Sequence, residues 1–185
     1  VVRISRRIAT NVNEGIGIDV VDAVVRSAVN DRDRGVPNNA NLEGDLTVYL
    51  AHKYEQRALG LEVMAELEAA GITVLNPFIR KEQEKYDDVI ATKGGQFDDQ
   101  ISAEIVNADL RLIDKSDAVV ALLCPNAIGT VMEIFYAGHV KRIPVFTWVT
   151  YSMPYRHPWI AHYSEMFLDK EPFLAVVKGW GKSGR

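Results

Sequence analysis

Cysteine is nearly absent from this 185-residue chain. Cys124 is the single one, which excludes an intramolecular disulfide framework and any multi-thiolate metal site. A reducing compartment follows, and with no signal-peptide pattern in view the expected location is cytoplasmic. The histidines are also few, and His52, His139, His157 and His162 show no metal-ligand spacing. No metal and no cofactor are therefore expected. No window approaches the roughly 18 uninterrupted apolar residues of a membrane span, so no membrane association is expected. The patterns GxxxxGK[ST] and GxGxxG are both missing, which removes an ATPase-type phosphate loop. Basic residues are in deficit, 21 Lys and Arg against 25 Asp and Glu, for a formal charge of -4. A polymeric nucleic acid is not the expected partner of such a surface.

What remains is an ordinary globular composition: 48% apolar residues, 25% charged, 13 Gly and 7 Pro. A 20.6 kDa chain sits at the usual size of one domain and buries roughly 70% of its extended surface, enough for one hydrophobic core. The charge is uneven. Residues 141–185 hold seven basic and three acidic side chains, a mildly basic end suited to an anionic substrate, an acidic partner surface, or simply solvent.

Along the chain, residues 1–46 differ from the rest. VVRISRRI reads as a short edge strand, Ile18 to Val29 has apolar residues at helical spacing, and 31–45 is a polar connector. Residues 1–46 are read as an N-terminal extension packing on the core or on a partner, and 47–185 as the main domain. From Thr47 the pattern is regular. LTVYLA is a strand, residues 55–70 a helix stopped by Gly71, and ITVLN a strand closed by Asn76-Pro77. Residues 78–97 are polar and read as a long loop with one helical turn. Asp98 or Asp99 caps a helix, and DAVVALL at 117–123 is the apolar run of a central parallel strand covered on both faces. VMEIFYAGHV is a helix, IPVFTWV at 143–149 a buried strand, and Pro158 opens a helix through Phe167. This alternation predicts a three-layer α/β domain, an open and mainly parallel sheet of about five strands with helices on both faces.

Ligands of such sheets collect at the carboxyl ends of the strands. The sharpest candidate is the turn Asn126–Gly129 leading to Thr130 and Glu133, where a helix start favours an anion and Gly129 admits close approach. Two readings stand at Glu133. Thr130-Val-Met-Glu133 has the spacing of a capping box, and the same carboxylate is also placed for catalysis. Asp109 is notable as a mid-helix aspartate beside the apolar Ala108, a position of poor propensity, although a solvated helix face explains it equally well.

Four blocks together carry a family likeness. VYLA at 48–51, NP at 76–77, ADLRLIDKSDAVVALL at 108–123 and GTVMEIFYAGHVKRIPVF at 129–146 resemble the nucleoside 2-deoxyribosyltransferase superfamily, which includes the 2′-deoxynucleoside 5′-monophosphate N-glycosidases. The resemblance spans about 47–150. It implies a flavodoxin-like sheet and cleavage of the bond between a base and a (deoxy)ribose, by hydrolysis or base exchange, with a nucleoside or its 5′-monophosphate as the small-molecule partner. It further implies that Glu133 is the nucleophile, that Asp109, 24 residues earlier, is the catalytic aspartate, and that Tyr49 borders the sugar and the glutamate. It also implies a homo-oligomer with shared pockets. Around this centre His52, Lys53 and Arg57 are expected to hold a 5′-phosphate. Asn76, Pro77, Asn126, Gly129 and Thr130 are expected to line the substrate, and Tyr155 and Trp159, with Tyr151 and His157, to stack on a base. Packing or a subunit interface accounts for those aromatics as readily.

The chain departs from the family pattern in three places: His52-Lys53 replaces a small Gly-containing turn, Ala127 stands six residues before Glu133 where an Asp or Ser is usual, and a C-terminal Asn has no match. The alternatives are a nucleotide-binding or sensing module without turnover, and a nucleotide phosphoribohydrolase of another family.

Overall fold

The computed structural model describes residues 46–79, 81–152 and 156–183. The extension read over residues 1–46 lies, but for Leu46, outside them, and so does Tyr155. Strand β1 (Thr47–His52) runs through a 3-10 turn (Tyr54–Gln56) into helix α1 (Arg57–Glu68). Then follow β2 (Thr73–Leu75), α2 (Lys81–Lys93), α3 (Asp99–Asp114) and β3 (Ala118–Leu123). Helix α4 (Ile128–Phe135) continues as a π-helical turn over Tyr136–Lys141. The chain closes with β4 (Val145–Val149), α5 (Pro158–Tyr163), β5 (Glu165–Phe167) and α6 (Lys170–Ser183).

The sheet is five-stranded, in the order β2-β1-β3-β4-β5, and every described pairing is parallel. Strand β3 is central, and all six of its residues are buried, because helices cover both faces and every side chain meets apolar neighbours. Strand parity assigns each residue to a layer. Val48, Leu50, Val120, Leu122 and Phe146 pack with Val63 and Leu67 of α1 and with Phe173 and Val177 of α6. Tyr49, Ala51, Val119, Ala121 and Val145 face the other way, onto Ile113 of α3 and Ile134 of α4. The chain leaves β1 toward β2 on one side and returns to β3 on the other. A crevice therefore opens at the carboxyl ends of β1 and β3, where the winding reverses.

Local signals explain the element ends. Gly71 has φ of +80° past the end of α1, the left-handed conformation that glycine adopts without strain. Asp98 caps α3, its carboxylate accepting from Ile101 N at 2.9 Å.

Two expectations are corrected. Residues 81–93 form a helix of 13 residues, where the polar sequence read as a loop. Its sequence is almost wholly polar, with Val89 as a buried anchor, so apolar periodicity is too sparse to betray it. The segment after Pro158 is not one helix through Phe167. It stops at Tyr163, and Glu165–Phe167 adds the fifth strand beside β4. A three-residue edge strand is too short to show alternation.

Candidate active site

Three sequence candidates from three elements converge on the crevice. Tyr49 projects from β1 toward α4, and its hydroxyl donates to Glu133 Oε1 at 2.6 Å. Glu133 sits in the second turn of α4, on the side turned to β1. Asp109 stands one turn before Ile113 on the same face of α3, and Ile113 is wholly buried against the sheet. Its charge acts on both Tyr49 and Glu133.

The Glu133 carboxyl is the buried end of a residue whose stem reaches the surface. One oxygen is taken by Tyr49, and Oε2 has no hydrogen-bond partner. Burial pushes its pKa up to about 8. The Tyr49 hydrogen bond pulls it down, and the negative charge of Asp109 adds to the rise. Tyr49 is held well above the ordinary phenol range, first by burial, then by the charges of Glu133 and Asp109. It therefore stays protonated and can only donate toward the carboxylate.

The capping reading of Glu133 does not survive this geometry. The left-handed Asn126, with φ of 60°, turns the chain early, and Val131 N already donates to Ala127 O at 3.1 Å. The helix thus begins at Ile128, not after Gly129, and Ala127 is its N-cap residue. Thr130 is the third helical residue, and its buried hydroxyl has no partner. A capping box needs Thr at the N-cap and Glu at the third position.

His52 is three residues from Tyr49 on the same strand and so faces the opposite layer. It is 4% exposed, with Nε2 at 3.1 Å from Asn76 Oδ1 and Nδ1 at 3.0 Å from Lys53 O. Its ring also packs on Phe78 and on the bare backbone of Gly60, where a Cβ would stand 2.4 Å from Nε2. Burial lowers its pKa, against the opposing pull of its two acceptors, Lys53 O and Asn76 Oδ1. His52 thus ties β1 to the turn after β2. Asn76 belongs to the same tie, since Oδ1 also accepts from Phe78 N at 3.0 Å, and Pro77 is buried in that turn.

The remaining candidates lie elsewhere. Lys53 pairs with Glu55 at 3.0 Å, and the Arg57 guanidinium stands 4.5 Å over the Tyr54 ring. Gly129 is exposed, and nothing lies within 4 Å of where its Cβ would be, so the backbone there is open to a ligand. Asn126 lines a cavity of about 290 Å³ with Cys124, Val131, Tyr151, His157 and Ile160, and neither Tyr49 nor Glu133 borders it. Val131 and Glu133 point to different sides of α4, which separates this cavity from the carboxylate. Trp159 is 59% exposed on α5, with its ring centre 6.2 Å from Phe135.

One residue of the site was not visible in the sequence. Tyr86 of α2 lies in the field of both carboxylates, and burial together with Asp109 and Glu133 drives its pKa up to about 12. Its ring stacks on Tyr54 at 5.3 Å and meets Phe78 at 5.0 Å and Phe97 at 5.2 Å. Tyr54 in turn donates to Asp87, which ties α2 to the turn after β1. Among the described residues no group of three or more His, Cys, Asp and Glu is arranged to hold a metal ion, and no helix is long and apolar enough to cross a membrane.

A doubly wound parallel sheet with a buried carboxylate and a phenol meeting at its switch point defines a class of α/β enzyme site. The sequence pattern of the nucleoside 2-deoxyribosyltransferases matches residues 48–175, more than half of the chain, and the protein belongs to that family. The solved 2-deoxyribosyltransferase of the psychrotolerant bacterium Bacillus psychrosaccharolyticus has a similar fold. It superposes with a TM-score of 0.52 at 20% identity, over 71% of this chain and 90% of that one. None of the curated proteins matches the chain.

Proposed function

We propose that this chain cleaves the N-glycosidic bond of a (deoxy)nucleoside or its 5′-monophosphate through a covalent glycosyl–Glu133 intermediate, with water or a second base as acceptor. The observation that carries the reading is the division of labour within one carboxylate. Tyr49 occupies Oε1, Oε2 is left buried and unpartnered, and Oε2 is the oxygen that would bond to C1′.

As the C1′–N bond stretches, positive charge develops on the sugar, and a desolvated carboxylate stabilises it more strongly than one in water. The Oε2 lone pair forms the C1′–O bond while the bonding pair departs with the base. Asp109, in its protonated form, gives that base a proton. In the second half-reaction water or an acceptor base attacks C1′, the ester bond breaks back to the carboxylate, and Asp109 takes up the acceptor's proton. The reactive form therefore holds one proton between the two carboxyls, placed on Asp109 and not on Glu133.

Lys53 and Arg57 are the cations offered to a 5′-phosphate after β1. Their present contacts are of the partly exposed kind that contribute about 1 kcal/mol or less, so a phosphate can displace them.

The test is chromatographic. Nucleosides and 5′-monophosphates are incubated with and without a second base. Free base alone marks a hydrolase, and a new nucleoside marks an exchange enzyme. Tight binding with no product in either case would make the chain a sensing module and end the catalytic reading.

A further inference from the structure

We propose that Thr130 is a sugar-contacting residue of this site, its hydroxyl sharing a hydrogen bond with a hydroxyl of the substrate's (deoxy)ribose. The inference rests on the reading above for what the site holds, and its own support is the packing of α4 on the sheet. Helix α4 joins the parallel strands β3 and β4, so it runs back along the sheet, antiparallel to its strands. The bond from Tyr49 to Glu133 fixes the register between helix and sheet. Thr130 lies three residues before Glu133, about 4.5 Å nearer the carboxyl ends of the strands. Ala51 lies two residues past Tyr49 on the same strand face, about 6.6 Å in the same direction. Thr130 therefore stands over Ala51 and over Ala121, which faces Ala51 in the register of β1 with β3. With about 3.6 residues per turn, Thr130 falls on the arc between Glu133, turned to β1, and Ile134, buried on the sheet. Side chains of a helix lean toward its start, so the Glu133 carboxyl leans into the turn that carries Thr130.

Both neighbours lack what a buried polar group needs. Thr130 is 2% exposed and its hydroxyl has no hydrogen-bond partner, and the same is true of Glu133 Oε2. A helical threonine ordinarily returns its hydroxyl to the carbonyl four residues back. For Thr130 that residue is Asn126, which precedes the helix in the left-handed conformation, so the ordinary acceptor is not part of the helix. The two groups do not bond each other, and a third polar atom between them would satisfy both. Small residues surround the pair: Ala51 and Ala121 on the sheet, and Gly129 on the helix, exposed and with nothing within 4 Å of where its Cβ would be. A buried hydroxyl without a partner lowers the stability of the free chain, and a ligand atom that completes it removes that cost. The nucleophile approaches C1′ from the side opposite the departing base, so the groups beside Oε2 face the sugar. A sugar hydroxyl both donates and accepts, as the threonine hydroxyl does, and can serve Thr130 in either sense.

The experiment measures stability, binding and turnover separately in wild type, Thr130→Val and Thr130→Ser. Valine puts a methyl where the hydroxyl stands, and serine keeps the hydroxyl. Adenosine, guanosine, cytidine and uridine, with their 5′-monophosphates, are compared with their 2′-deoxy and 3′-deoxy forms, and the nucleosides also with their 5′-deoxy forms. Affinity is read by calorimetry, and base release is timed alongside. The ratio of wild type to variant is taken within each substrate, which cancels the intrinsic reactivity of each sugar. Thr130→Val is expected to melt no lower than wild type, because it removes an unsatisfied buried group. It should nevertheless lose about tenfold in affinity and in kcat/KM, a loss that disappears with the one deoxy form lacking the partner hydroxyl and that Thr130→Ser largely restores. A wild type that binds nucleosides but releases no base ends the catalytic reading, and the same pattern in the affinities alone then upholds the Thr130 contact. Losses in Thr130→Val that are absent, or equal for every deoxy form, overturn the proposal, as does a wild type that binds none of these compounds.

Discussion

The 2.6 Å hydrogen bond from Tyr49 to Glu133 joins residues 84 positions apart, one on the first described strand and one on the helix after the central strand. It decides how the carboxylate behaves. By holding Oε1 it orients Oε2, and by stabilising the charged form it opposes the burial that drives the pKa up.

Glu133→Gln keeps the shape of the side chain but removes the charge that faces the developing cation. The expected loss in kcat is about 10²-fold or more, with the fold retained. Full base release by purified Glu133→Gln would end the mechanism.

The same residue makes stability depend on pH. Its folded pKa of about 8 lies above the ordinary carboxyl value of 4.5, so the folded chain binds the proton more tightly than the unfolded one. Its contribution is fully present below pH 4.5 and is lost as pH rises toward 8. At about 1.36 kcal/mol per unit this amounts to a few kcal/mol. Melting curves of wild type and Glu133→Gln should therefore diverge between pH 5 and pH 8, with the variant the more stable at the upper end. Parallel curves would show that the carboxyl is not desolvated.

A singly protonated pair makes kcat/KM bell-shaped, with the alkaline limb near 8, where the last proton leaves. Tyr49→Phe removes the bond that favours the charged Glu133, so that limb should move to higher pH while kcat falls by roughly 10–100-fold. Asp109→Asn removes both the proton and the charge. The alkaline limb should vanish, leaving a rise with pH whose midpoint lies below 8. Steady-state rates from pH 5 to pH 10 on all three proteins check both statements.

Lys53 and Arg57, not His52, are the groups on which a preference for 5′-monophosphate would depend. Replacing both by Ala should erase a preference of about 10–150-fold, the range of one charge-assisted hydrogen bond. His52→Ala should instead act on stability. Equal rates on nucleoside and monophosphate in wild type would remove the phosphate assignment and leave the glycosidic chemistry intact.

Gly60→Ala tests the structural role of His52. An added methyl improves helix propensity by up to about 1 kcal/mol, but it meets a buried imidazole 2.4 Å away whose two nitrogens are already engaged. Overpacking of this kind costs about 1–3 kcal/mol, so a lower melting temperature is expected with catalysis little changed.

Local pattern was enough to read strands β1, β3 and β4, the helix start at Asp98, the turn at Gly71 and the parallel class of the sheet, because buried strands and caps write themselves into neighbouring residues. The pairing of Glu133 with Tyr49 and Asp109 was legible only through a family likeness, since nothing in a linear chain shows which helix face meets which strand. Tertiary structure alone decided four things. It started α4 at Ile128 and so removed the capping role from Thr130 and Glu133. It set His52 against Asn76, Phe78 and Gly60, contacts between separate segments that no motif encodes. It made a helix of the polar segment 81–93, whose anchors Val89 and Tyr86 are too few for periodicity but find their partners in distant Tyr54, Phe78 and Phe97. And it set the proton affinity of Glu133, because desolvation depends on what the whole fold packs around a carboxyl and not on the residues beside it in the chain.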